Sequence, residues 1–125
     1  MGYDVHMVKT DHWQNAGENP ITKEQADEII AADKELSWSQ KDYVDTKDEN
    51  GRVTRYFAIN WKNVPCFLCS GDQITCSNAS PEQVIKLVLI SKSIGAKVIG
   101  DDGEIYDVKK NIFGKLSVTK RRPDA

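Results

Sequence analysis

The sequence predicts an α+β domain: an antiparallel sheet of about five to six strands, with two helices packed on one face. Two segments begin with helix-capping signals, several short segments alternate apolar and polar residues, and Asn50-Gly51 separates two of these strand-like segments. Alternation is typical of a half-buried strand, and Asn-Gly is typical of a hairpin turn. An order of strand, helix, hairpins, helix and strand is typical of the α+β class.

The first strand and the first helix lie in the first quarter of the chain. Residues 3–8 alternate large apolar and polar side chains, which predicts a strand. Residues 11–20 contain Gly, Pro and several amides and predict a loop that carries Trp13. Thr22 and Gln25 have the spacing of a capping box, so a helix begins there, and its apolar spacing fades near Asp33.

Two hairpins and the second helix follow. Residues 42–47 and 52–62 form the first hairpin, and residues 65–69 and 73–76 form the second. Ser80, Pro81 and Gln83 are a strong helix start, and Gly95 is a typical stop, so helix two covers residues 81–94. Its apolar residues surround most of the helix, which predicts deep burial. Residues 97–99 and 104–106 are short strands on either side of an acidic turn.

The length of the chain predicts one domain, and its charges are unevenly distributed along the sequence. The 125 residues suffice for one core, and we expect a compact part over residues 3–114 and a flexible basic tail over residues 115–125. Residues 1–50 carry twelve acidic and five basic residues, a net charge of −7, whereas residues 105–125 carry two and six, a net charge of +4. The amino-terminal half is therefore expected to repel nucleic acid and to attract basic partners.

The lack of a recognisable targeting signal and the number of cysteines predict a cytoplasmic protein. The amino terminus lacks a basic region followed by a long apolar core, and no apolar run has the length of a membrane span. The three cysteines are an odd number, as is common in a reducing compartment. We therefore expect a cytoplasmic protein without membrane contact.

Candidate metal and catalytic groups are few. Cys66 and Cys69 have redox or zinc spacing, but they lie in a strand, and no second pair follows, so we interpret them as buried thiols. His12 stands beside Asp11 and could act as a general base in a small hydrolase, although no nucleophile is placed by a motif. We expect no catalytic residues, no metal and no cofactor.

The acidic turn at residues 100–104 has three interpretations. Clustered carboxylates suit calcium or magnesium, but the oxygen positions of an EF-hand are missing, and Asp-Gly also serves tight turns. The turn is therefore either a solvated hairpin turn or an anionic knob for a cationic partner. Trp13 and Trp38 border helix one and serve either as boundary packing or as partner anchors. The predicted partner-binding set consists of Asp101, Asp102, Glu104, Asp107, Trp13 and Trp38.

Several segments resemble a group of small bacterial cytoplasmic proteins. They are residues 3–5, residues 21–25 followed by residues 33–36, and above all Gly100-Asp101-Asp102-Gly103-Glu104-Ile105-Tyr106 after helix two. Some proteins in this group are immunity proteins of toxin–immunity systems, including contact-dependent growth inhibition. The resemblance implies a non-enzymatic inhibitor that binds one cognate toxin with a basic surface, often a nuclease, in the cytoplasm. A ligand- or metal-binding domain that uses the acidic turn, and a small hydrolase that uses His12, remain the alternatives.

Overall fold

A computed structural model describes residues 3–122, with the side chains of residues 40–44, 46 and 54 outside the description. Eight strands, two α-helices and one 3-10 helix follow one another along this part of the chain. They are β1 (Asp4–Val8), a 3-10 helix (Trp13–Glu18), α1 (Lys23–Ala31), β2 (Leu36–Lys47), β3 (Val53–Trp61), β4 (Val64–Cys69), β5 (Ile74–Ser77), α2 (Pro81–Ile94), β6 (Lys97–Gly100), β7 (Ile105–Lys110) and β8 (Leu116–Arg121).

All eight strands form one antiparallel sheet in the order β2-β3-β4-β5-β1-β6-β7-β8. The α+β class is confirmed, whereas the expected five to six strands and two helices are too few. The first strand of the chain lies inside the sheet, between β5 and β6. This position brings residues from three distant parts of the sequence side by side.

Both α-helices begin at the predicted capping boxes. In α2 the Ser80 hydroxyl accepts from the Gln83 amide, and the Gln83 side chain accepts from the Ser80 amide. Thr22 and Gln25 make the same pair of bonds at α1. The helix α2 ends at Gly95, whose φ of 68° is the left-handed conformation that glycine adopts without a steric penalty.

The two faces of the sheet are covered unequally. On one face, side chains from β1 such as Val5 and Met7 share a core with α1 and α2, in which Leu87 is fully buried. On the other face, Val8 and Ile99 pack against the 3-10 helix, which covers only the region near β1 and β6. The rest of that second face is not covered by either α-helix, and we call it the open face.

The prediction of a flexible basic tail over residues 115–125 is wrong for residues 116–121. Residues 116–121 form β8, which pairs with β7 from Ile105↔Arg121 to Lys110↔Leu116. Partly buried Val118 packs against the main core. The strand has only two apolar residues, which alternate with hydroxyl residues before two basic residues, and this low apolar content hides it in the sequence. Pairing with β7 satisfies its backbone.

Candidate functional site

A cleft of about 350 Å³ lies on the open face, beside the 3-10 helix. Its walls come from β1, β3, β5, the 3-10 helix and the acidic turn after β6, and they include Asp4, His6, Trp13, Tyr56, Thr75 and Asp101. Strand alternation explains this composition, since Val5 and Met7 point to the helix side and their neighbours in β1 point to the open face. The cleft thus combines polar side chains with the aromatic residues Trp13 and Tyr56.

His6 is the most buried polar residue of the cleft, with 5% of its surface exposed. Its Nδ1 lies 2.7 Å from Oε1 of Gln73, and its Nε2 lies 2.8 Å from Oδ1 of Asp101. The Trp13 indole stacks on the imidazole with a centroid distance of 4.4 Å and an interplanar angle of 6°. The ring is therefore held at both nitrogens and covered on one side.

Asp101 joins the acidic turn to β1. One carboxylate oxygen faces His6, and the other accepts from the Asp4 amide at 2.8 Å, while the Asp101 amide donates to the Asp4 carbonyl at 3.1 Å. Partial burial acts to raise the pKa of Asp101, but these hydrogen bonds and the neighbouring His6 outweigh it, and the pKa lies below its ordinary value. The carboxylate is thus kept in its charged form and in one orientation.

Tyr3 and Glu104 brace the other side of the turn. The Tyr3 hydroxyl donates to Oε2 of Glu104 and accepts from the Asp102 amide at 3.2 Å. Burial of the hydroxyl and the bond to Glu104 raise the pKa of Tyr3 well above its ordinary value. Gly100 makes room for this contact, since a Cβ atom there would lie 2.7 Å from the Tyr3 hydroxyl oxygen. The acidic turn is rigid because it is anchored at both ends.

The 3-10 helix that carries Trp13 replaces the predicted loop. His12 caps it, with its Nδ1 accepting from the Gln14 amide at 3.1 Å. The Trp13 Nε1 group donates to the Asp101 carbonyl at 3.4 Å, which ties the helix to the acidic turn. Asp11 binds Lys97 at 2.6 Å. The Nδ1 atom of His12 is thus used to cap the 3-10 helix, and Asp11 pairs with Lys97 instead of His12.

The structure brings four of the six predicted partner-binding residues together. Asp101, Asp102, Glu104 and Trp13 all lie at the acidic turn, where Asp102 is exposed and the other three are partly buried. Asp101 and Glu104 are engaged by His6 and Tyr3, so these two carboxylates are not freely solvated.

The other two predicted residues lie apart from this group. Asp107 is on β7, where it forms an ion pair with Lys92 at 3.3 Å. Trp38 is on β2, where its Nε1 group donates to Asp27 of α1 at 2.7 Å and its ring packs against the core on the helix side. The six residues therefore do not form one patch.

Most of the cleft residues are absent from the predicted set, among them Asp4, His6 and Gln73. In the sequence, Asp4 and His6 are the polar residues that alternate with the apolar positions of the first strand. The partners of His6 are 67 and 95 residues away in the chain, and pairing over such distances has no local signal. Knowledge of the strand order is needed to find them.

The three cysteines are free thiols. Cys69 and Cys76 are buried and Cys66 is partly buried. Burial raises the pKa of Cys66 to about 11 and that of Cys76 to about 12, so neither is a reactive thiolate near neutral pH. Burial likewise raises the pKa of Cys69.

Comparison with known proteins yields no relative: no protein-family model, curated protein or solved structure matches the chain. Within residues 3–122, no helix is long and apolar enough to cross a membrane. The fold defines an α+β domain with a partly uncovered sheet face. The chemistry of its cleft is the basis for a functional proposal.

Proposed function

We propose that this protein is a cytoplasmic immunity protein, which binds and neutralises one cognate bacterial toxin. We further propose that this toxin is a nuclease. The observation that carries the proposal is the anionic rim of the cleft, where Asp4 and Asp101 line the cleft together with Trp13 and Tyr56, and the exposed Asp102 follows Asp101 in the acidic turn. The proposal is of a binding protein and not of an enzyme.

The rim suits a cationic side chain from a protein partner. A guanidinium group stacks on aromatic rings and forms paired hydrogen bonds with carboxylates. Asp101 is already ordered by the Asp4 amide and His6, so a partner need not immobilise it. Preorganisation of this kind lowers the entropy that is lost on binding.

Charge supports a nuclease as the target. A nuclease holds the phosphates of its substrate with basic residues, and a protein that presents ordered carboxylates can occupy the same surface. The net charge of −7 over residues 1–50 attracts such a surface at long range. A stable interface needs about 800 Å² per partner, so the toxin would also contact the open face around the cleft.

We expect a toxin to be encoded by the gene next to that of this protein, and the proposal is tested with that toxin. We expect co-expression to protect cells from this toxin and not from toxins of different sequence, since a few anchor residues set specificity. Asp102→Lys should slow association most strongly at low salt, because a charge at the rim of an interface acts mainly on the association rate.

Glu28→Lys is the matched control. It makes the same change of charge at an exposed position on α1, on the opposite side of the sheet. Equal association rates for the two variants across a salt series would exclude the cleft rim from the interface. Cells that die at the same rate with and without the protein, while the toxin is active, would contradict the immunity proposal itself.

The two alternatives differ in their support. A hydrolase that uses His12 has no support from the site, because the His12 ring caps the 3-10 helix and its neighbour Asp11 binds Lys97. A ligand- or metal-binding role has a specific observation in its favour: the grouping of Asp4, His6 and Asp101.

A further inference from the structure

We infer that the cleft is a binding site for a divalent transition-metal ion, with Asp4, His6 and Asp101 as the protein ligands. This inference goes beyond the immunity proposal and does not depend on it. One imidazole nitrogen and two carboxylate oxygens from these residues lie within 4.8 Å of one another. They come from two segments, β1 and the acidic turn, that the sheet places side by side.

The spacing of the ligand atoms is close to that of one coordination sphere, and small side-chain rotations would bring the three atoms, now within 4.8 Å of one another, onto one ion. In an octahedral complex with bonds of about 2.1 Å, adjacent ligands lie about 3 Å apart and opposite ligands about 4.2 Å apart. The His6 Nε2 atom and the Asp101 Oδ1 atom are separated by 2.8 Å, which is close to the distance between adjacent ligands. The cleft of about 350 Å³ leaves room for water molecules in the remaining positions.

The surroundings of His6 orient its Nε2 atom as a ligand. A histidine that binds a metal through one nitrogen commonly donates the N–H of the other to an oxygen, and the Gln73 Oε1 atom lies 2.7 Å from Nδ1. Without a metal, a proton between Nε2 and Oδ1 of Asp101, which lie 2.8 Å apart, forms a hydrogen bond. A metal ion would take the place of that proton, so that Nε2 and the Asp101 oxygen become ligands of one ion.

The carboxylates have supporting partners as well. The Ser77 hydroxyl donates to one Asp4 oxygen at 2.7 Å, and the Asp4 amide donates to the second oxygen of Asp101 at 2.8 Å. Such bonds fix the orientation of ligand groups and commonly change metal affinity by about 10- to 100-fold. The site thus has three ligands, and each ligand is held by a further group.

The donor types select the class of ion. One imidazole with two carboxylates suits Zn²⁺, Co²⁺ and Mn²⁺, whereas calcium and magnesium prefer oxygen ligands alone. Among these ions zinc binds more tightly than manganese to a given set of N and O ligands. We therefore expect Zn²⁺ to be the tightest of the three common probes Zn²⁺, Mn²⁺ and Mg²⁺.

The experiment is a titration of the chelator-treated full-length protein with Zn²⁺ by calorimetry, together with melting curves. We expect one ion per chain and a higher melting temperature. Asp4→Asn and His6→Gln should each weaken binding by at least about 10-fold. Asp4→Asn keeps an acceptor for Ser77, so it tests the site even if the buried His6 variant does not fold.

Matched controls separate the site from other carboxylates, histidines and thiols. Glu28→Gln and His12→Gln remove one exposed carboxylate and one histidine outside the ligand set and should leave zinc affinity within about twofold of wild type, well inside the effect of a lost supporting group. A Co²⁺ complex should lack the strong absorption of a thiolate ligand, since the three cysteines are not in the cleft. Absence of binding to wild type, equal affinity of both ligand variants and wild type, or thiolate absorption would overturn the inference.

Discussion

Asp101→Ala should destabilise the protein far more than the same change at its neighbour Asp102. The substitution removes the acceptor for the Asp4 amide and for His6, which is only 5% exposed and loses one of its two partners. A hydrogen bond to a charged group contributes about 1.5–3 kcal/mol. The Asp101 side chain is one-third exposed, so water replaces part of this loss, and we expect a total of about 2–4 kcal/mol.

This loss can be measured by urea denaturation with tryptophan fluorescence, since Trp13 stacks on His6 and reports the cleft directly. For a domain of this size, 1 kcal/mol corresponds to about 3–5 °C, so the melting temperature should fall by roughly 6–20 °C. Asp102→Ala alters an exposed side chain and should change the free energy of unfolding by less than about 0.5 kcal/mol. Equal losses for the two variants would refute the argument that Asp101 is the anchor of the turn.

Three further predictions concern stability and reactivity. A hydrogen bond from Lys86 lowers the pKa of Asp33. This pair therefore stabilises the fold above the ordinary carboxyl pKa of about 4, and the stabilisation is lost as the pH falls. Lys86→Met should flatten the decline in melting temperature between about pH 5 and 3. Cys66 and Cys76 should be alkylated slowly at about pH 8 in the folded protein and rapidly in urea, as mass spectrometry can follow, because burial raises both pKa values. Gly95→Ala should cost about 1 kcal/mol by urea denaturation, because the left-handed backbone at this helix end strains any residue with a Cβ, and an unchanged midpoint would contradict this.

The helices could be predicted because their signals are local. Each capping box is complete within four residues, and the stop of α2 depends on one glycine. The extent of β2 shows the limit of such reasoning. Leu36 has helical spacing from Ile29 in the sequence, yet it begins β2 and pairs with Trp61, because the chain turns at residues 33–35 and packs the leucine into the same core.

Turns without glycine were the hardest local feature to predict. The Asn50-Gly51 hairpin is present, with positive φ at Gly51. The following hairpin turns at Lys62 and Asn63, which both have positive φ. Lysine is uncommon in that conformation, so only the strand pairing on both sides makes it acceptable.

The candidate site could be predicted only in part, because it depends on the strand order. The sequence places the acidic turn after α2, and that position is correct. It does not show that β1 lies between β5 and β6, and this arrangement alone brings His6 beside Asp101 and Gln73. The acidic turn, predicted as either a solvated hairpin turn or an anionic knob, therefore has ordered carboxylates, since Asp101 contacts the buried His6 and Glu104 contacts Tyr3.

The metal and immunity proposals meet at the same two carboxylates, Asp4 and Asp101. A bound Zn²⁺ ion would neutralise charge that a basic partner needs, so metal and toxin should each weaken the binding of the other by the same factor, as thermodynamic linkage requires. A toxin titration with and without Zn²⁺ measures this factor, and Asp4→Asn should reduce it towards one. An unchanged toxin affinity at saturating Zn²⁺ would mean that the partner binds outside the cleft, while the metal site itself would stand on its own titration.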